Sequence, residues 1–210
     1  MQDLFKEITR FNTAFGNKVG DISRIDSQLY LIKEEFHELE AEIHTHGGSR
    51  PQNVRKEACD LIVVSAGLLD ILNPNWAESY TAPGKTPRHC IPLLRGLVTM
   101  VSNNVDGARA KHLKRIIQVC CGVIEGCGGK VREDLSIVNA SNFSKFCEHS
   151  EEVAKTSAHY IELGVETVLR CEDEELVAFI SKFNQEGSDG KVYTKGKLLK
   201  PVSYRPAVLK

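Results

Sequence analysis

The chain of 210 residues has one tryptophan, two methionines and no apolar run near the roughly 18 residues that a membrane-spanning helix requires. Its opening, MQDLFKEITRF, lacks the basic-then-apolar order of a secretion signal, so a cytoplasmic protein is expected. No GxxxxGK[ST] phosphate loop occurs, which excludes P-loop chemistry at the level of motif. No CxxC pair occurs either, although there are seven cysteines: Cys59, Cys90, Cys120, Cys121, Cys127, Cys147 and Cys171. Several of them lie inside apolar helical patterns and read as reduced packing residues, and Cys121 with Cys127 lacks the histidine pair that a structural zinc would need. There is no excess of charge. Twenty-seven Lys and Arg face 28 Asp and Glu, a formal net charge of -1, so neither nucleic acid nor an acidic membrane surface is expected as a partner.

What the sequence does contain is helical periodicity. Leu4, Phe5, Ile8, Phe11 and Phe15 recur at helical spacing over 2–15, and Gly16 and Asn17 stop the helix. The pattern resumes from Ser23 to His46, breaks at Gly47 and Gly48, and starts again at Pro51, a residue suited to a first helical turn. That helix runs to Asn73 and Pro74. A proline-rich surface loop is expected over 74–88, then helices near 90–103, 107–127, 133–148 and 151–163. VETVLRCE and ELVAFIS read as a β-hairpin, and GKVYTKGKLLKP as a third strand or an extended tail. The expected fold is mainly α, a helical bundle with a small C-terminal β-hairpin appendage.

The acidic residues carry the chemistry. Residues three or four apart share a helix face, so Glu35 with Glu38 and Glu57 with Asp60 form two carboxylate pairs. Glu35, Glu38 and Glu42 flank the apolar stripe Leu29, Ile32, Phe36, Leu39 and Ile43. Glu57 and Asp60 fall in line with Leu61, Val64, Leu68 and Ile71, the stripe that should face the core, and no Lys or Arg recurs along it. A carboxylate taken out of water costs several kcal/mol unless a cation or a set of donors compensates it. Consecutive helices with a short connection are antiparallel neighbours, which lets the four acids converge. Magnesium, which takes hard oxygen ligands, suits such a site.

With these residues in view, the chain resembles the all-α nucleoside triphosphate pyrophosphohydrolase superfamily, which includes MazG-like enzymes, dimeric dUTPases and phosphoribosyl-ATP pyrophosphohydrolases. The shared pattern is EExxE followed by ExxD. Here it reads Glu34-Glu35-Phe36-His37-Glu38, then Glu57-Ala58-Cys59-Asp60. Phe11-Asn12-Thr13-Ala14-Phe15-Gly16, Ser141-Asn142-Phe143-Ser144-Lys145 and Gly196-Lys197-Leu198-Leu199-Lys200-Pro201 extend the likeness, the last two being similar to the SNxSK and GKxLK elements of phage-type members.

The resemblance implies hydrolysis of a nucleoside triphosphate to a monophosphate and pyrophosphate, with a role in nucleotide-pool control. It implies Glu35, Glu38, Glu57 and Asp60 as ligands of Mg2+, for which Mn2+ can substitute, and Glu34 as general base or a further ligand. Asn139, Asn142, Lys145 and Lys200 are expected to bind substrate, although Asn139 and Asn142 could equally cap a helix. It also implies a homodimer or homotetramer. The core is expected over 1–147, with residues 148–210 as a helix, hairpin and basic tail packed on it. Two rival readings share these features: a phosphoribosyl-ATP pyrophosphohydrolase of histidine synthesis, and a non-catalytic helical module that binds a divalent cation or a nucleotide.

Overall fold

Apolar residues at helical spacing draw most of the chain into helices, as a computed structural model shows for residues 2–46, 49–73, 76, 87–104, 107–173 and 175–210. The fold is mainly α with a small C-terminal set of antiparallel strands. In chain order the helices are α1 (Gln2–Ala14), α2 (Ile25–His46), α3 (Pro51–Leu72), α4 (Pro87–Asn103), α5 (Arg109–Gly126), α6 (Val131–Phe143) and α7 (Ser150–Glu162). A 3-10 turn over Ile22–Arg24, capped by the Asp21 side chain, leads into α2. Among the described residues, no helix is long and apolar enough to cross a membrane.

Two boundaries differ from the sequence expectation. Helix α4 begins at Pro87, so Pro87 and Arg88 leave the loop expected over 74–88; of the rest of that stretch only Trp76 lies inside the described residues. Helix α6 ends at Phe143, and the chain then turns to a bridge between Cys147 and Val177, where the sequence read as helical to 148. Of the cysteines read as packing residues, Cys171 on the first strand is exposed.

The chain divides into two units. The first is Met1–Asn12, Asn17–Asn139 and Ala207–Lys210, and the second is Thr13–Gly16 and Ala140–Pro206. The division falls within α6, whereas the sequence placed it at 147/148.

Helix α3 is the axis of the first unit. It packs on α2 and α5, and α4 closes against both of those helices. From Ala58 to Ile71 only Asp60 and Val64 are not fully buried. Leu29, Ile32, Phe36, Leu39 and Ile43 of α2 are all buried, as their spacing requires. Three contacts fix how α2 and α3 run. The Asn53 side chain donates to Glu42, Glu35 and Asp60 bring carboxylate oxygens together, and a Cβ on Gly67 would lie 2.9 Å from Gln28 Oε1. Each step of seven residues down α2 (Glu42, Glu35, Gln28) matches a step of seven up α3 (Asn53, Asp60, Gly67). That is the repeat of an antiparallel coiled-coil seam, here lined with polar side chains.

At one end of this seam Asp70 is buried and accepts hydrogen bonds from Thr9, Asn12 and Trp76, at 2.9, 3.1 and 2.6 Å. The Trp76 ring meets Phe5 edge-on at 5.0 Å, which ties α1 to the end of α3. At the other end Arg55 holds Asp134 of α6 through two hydrogen bonds of 2.7 Å and donates to the Lys210 carbonyl. Gly129 makes room for this pair, because a Cβ there would lie 2.4 Å from Asp134 Oδ2.

In the second unit, β1 (Thr167–Asp173) and β2 (Leu176–Ser181) form the expected hairpin, with Thr167 opposite Ser181 and a bulge between Arg170 and Asp173. Strand β5 (Leu198–Leu199) adds to β2, so part of GKVYTKGKLLKP is the third strand. A separate pair, β3 (Gln185–Glu186) with β4 (Val192–Tyr193), was not expected. Cys147, Tyr160, Val165, Phe179 and Leu199 form the core between α7 and this sheet. Arg170 donates to the Phe15 carbonyl, which fastens Thr13–Gly16 to the unit.

The Arg55–Asp134 pair is well shielded, with side chains 11% and 3% exposed. Asp134→Ala leaves the guanidinium with only the Lys210 carbonyl and no opposing charge, and is expected to lower the unfolding free energy by about 3 kcal/mol. Urea denaturation of wild type and variant measures this, and a loss below about 1 kcal/mol would contradict the fork-on-fork pairing.

Candidate metal centre

The middle of the polar seam holds the acids. One carboxylate oxygen from each of Glu35, Glu57 and Asp60 can be chosen so that all three lie within 4.8 Å of one another. Neighbouring ligands about 2.1 Å from a single octahedral ion lie about 3 Å apart, so these oxygens need to close by up to about 2 Å to share an ion. Glu57 and Asp60 reach the spot because they are three apart on α3, and Glu35 because the helix register places it opposite Asp60.

The local electrostatics show the strain of this arrangement. Burial pushes the Glu35 carboxyl up from 4.5 to about 8, and the charges of Asp60, Glu38 and Glu57 push in the same direction. Glu57 is also raised, by burial first, with Lys56 opposing and Asp60 and Glu38 adding to it. Glu57 Oε2 is buried and has no hydrogen-bond partner among the described residues.

A cation reaches these acids from beside the stripe. Lys56 donates to Glu57 at 3.0 Å and to Asp60 at 2.9 Å. Lys56 lies outside the apolar stripe, and its i,i+4 spacing to Asp60 is the sequence signal for the pair. One ammonium offsets one carboxylate. With Glu35, Glu38, Glu57 and Asp60 ionised, the formal charge left is -3, which a divalent ion reduces to -1. The surplus of hard oxygen donors and the orphaned Glu57 oxygen therefore fit a metal cation.

The remaining candidates lie elsewhere or play other parts. Glu38 is exposed and outside the converging trio, and acts on Glu35 and Glu57 through its charge. Glu34 is exposed on α2. Asn139 is buried in α6, and neither atom of its amide has a hydrogen-bond partner among the described residues. Asn142, Lys145 and Lys200 belong to the second unit, where Lys145 donates to Asn142 Oδ1 at 2.7 Å. Lys200 stands 4.3 Å from the centre of the Tyr204 ring, a neighbour that the sequence reading missed.

No family model, curated protein or solved structure matches the chain.

The position of Glu35 has a measurable consequence in metal-free protein. Its carboxyl ionises near 8 when folded and near 4.5 in an unfolded chain, so the folded state binds more protons across that window. Stability due to this group is full below about pH 4.5 and is lost as the pH rises through 8. In chelator, Glu35→Gln should gain stability relative to wild type as the pH is raised from about 5 to 8, read from urea midpoints. A wild-type-minus-variant difference that stays flat, or moves the other way, would mean that Glu35 is not among these charges.

Proposed function

We propose that the chain is a magnesium-dependent nucleoside triphosphate pyrophosphohydrolase of the all-α, MazG-like kind. It would cleave a ribo- or deoxynucleoside triphosphate to the monophosphate and pyrophosphate, serve nucleotide-pool control and assemble as a homodimer or homotetramer. The observation that carries the reading is the convergence of Glu35, Glu57 and Asp60 from two adjoining helices with too little positive charge to balance them. Such a cluster costs free energy as it stands and becomes favourable when a divalent ion joins it.

Glu35, Glu57 and Asp60 are the residues that would hold the ion. Bound there, it supplies charge for the phosphate oxygens and lowers the pKa of a coordinated water. Lys56 occupies Glu57 Oε1 and Asp60 Oδ2, which orients both carboxylates and leaves Glu57 Oε2 for a ligand. Glu34, one position round the helix from Glu35, takes a proton from the attacking water and, being exposed, can pass it to solvent. Glu38 sits one turn on, where it can approach the ion from the solvent side.

Lys56 also favours a second reading. With its ammonium bridging Glu57 and Asp60, the acids can serve as an ion-pair cluster in a module that binds a nucleotide without turning it over. The two readings separate in one assay. Protein is incubated with each common ribo- and deoxynucleoside triphosphate in magnesium, and the products are resolved. Monophosphate plus pyrophosphate is expected, with kcat/KM reduced about 100-fold or more by Glu57→Gln or Asp60→Asn. Diphosphate plus orthophosphate would refute the reaction, and tight binding without turnover in both magnesium and manganese would select the module.

A further inference from the structure

A sheet has two edges, and those of the three-stranded sheet in the second unit differ. With strand order β1-β2-β5, one edge is β5, which is two residues long and is soon followed by Pro201. The other edge is β1, which is regular from Thr167 to Arg170 before its bulge. Natural sheets blunt an exposed edge with a short strand, a proline, a lysine or a bulge. Residues 167–169 carry none of these.

The backbone of β1 has groups to offer along this edge. The Glu166 carbonyl accepts from the Lys182 amide at 3.0 Å, and the direction alternates from there. Val168 and Arg170 therefore turn their amides and carbonyls towards β2, and Thr167 and Leu169 turn theirs outward. These outward groups have no hydrogen-bond partner among the described residues. The side chains agree. Val168 and Leu169 lie on opposite faces of the sheet and are 48% and 51% exposed, whereas Ile180 and Phe179, their partners on β2, are 7% and 1% exposed. Both faces stop short at β1, and a further strand would cover both at once where a helix could cover only one.

The order of charges selects a second copy as that strand. Facing residues of an antiparallel pair share a face, so a two-fold axis perpendicular to the sheet must pass through a residue. With the axis at Val168, the two Val168 side chains meet, Thr167 faces Leu169, and Glu166 faces Arg170 at both ends. An axis at Leu169 puts Arg170 against Val168, and one at Arg170 sets two guanidinium groups together. Of the axes within residues 167–170, only Val168 opposes unlike charges. Glu166 is 63% exposed although Lys182 holds it at 3.0 Å, and Arg170 uses one guanidinium nitrogen on the Phe15 carbonyl, so both have capacity left.

We infer that β1 is a dimerisation edge, at which two copies of the chain join antiparallel through residues 166–170 about a two-fold axis at Val168 and form one continuous sheet. Each facing Thr167 and Leu169 add two main-chain hydrogen bonds. The interface gives the homo-oligomer of the proposed function a definite contact, but it rests on this edge and not on the hydrolase reading.

Gel filtration with light scattering on the full chain is the first test. Leu169→Pro removes only an outward amide and leaves the hairpin its own bonds, so its mass should be half that of wild type. Val168→Glu, which sets like charges face to face at the axis, should do the same, with circular dichroism confirming that both variants fold. Disulfide trapping reads the register and decides alone should either variant unfold. In a Cys171→Ser background, mild oxidation should link Val168→Cys into dimers, because facing residues of a non-hydrogen-bonded pair lie about 4.5 Å apart at Cα. Arg170→Cys should not link, since its two copies stand roughly 13 Å apart along the strand. A wild-type mass of one chain overturns the interface and leaves the edge to a strand of another protein. Unchanged mass in both folded variants, or linkage of Arg170→Cys in place of Val168→Cys, overturns it as well. Trapped dimers without triphosphate turnover uphold the edge while the hydrolase reading falls, and turnover by a single-chain wild type does the reverse.

Discussion

Like charges do not gather unless something stronger gathers them. Two carboxylates with oxygens within 4.8 Å of each other repel by at least about 1 to 3 kcal/mol at effective dielectric constants between those of water and a protein surface. Against this stand Leu29, Ile32, Phe36, Leu39 and Ile43 of α2, all buried beside α3. Each contributes about 1.5 to 3 kcal/mol, so the apolar face outweighs the repulsion several-fold. The hydrophobic seam thus dictates where Glu35 sits, and the proton that Glu35 retains to about pH 8 is the molecule's way of relieving the crowding. A divalent ion would relieve it better.

Much of this was legible in the sequence because helices declare themselves by period. The α2 stripe, the proline that opens α3 and the pairing of Glu57 with Asp60 follow from spacing alone. Opposition of Glu35 to Asp60 needed only the inference that consecutive helices run antiparallel. The apolar stripe does not reveal Lys56, whose partner Asp60 follows from i,i+4 spacing. Glu38 pairs with Glu35 by spacing, and on α2 it is exposed and outside the trio, a difference in burial that spacing alone does not register. Strands β3 and β4 are two residues each, too short for alternation to register. The tail after β5 has no periodicity, and only hydrogen bonds with the side chains of Ser144 and of Tyr160 on α7 fix its place.

The two units hold their side chains in place by different means. In the first, regular helix geometry does the positioning, and every acid of the trio sits in a long helix whose neighbours hold it. In the second, irregular chain is fixed by individual hydrogen bonds from serine, threonine and tyrosine hydroxyls, each of which can be removed by one substitution. Precision in the first is therefore a collective property, and in the second it is the sum of a few local ones.

The matched sevens along α2 and α3 also limit how this hairpin can change over evolutionary time. Losing a single residue inside either helix turns everything beyond it by about 100° and moves the following acid or amide off the seam. Two whole turns inserted at facing points of both helices would lengthen the hairpin while returning Gln28 to Gly67 and Glu35 to Asp60 in phase. Length variation among descendants of this chain should accordingly come in matched pairs of seven or not at all within the seam.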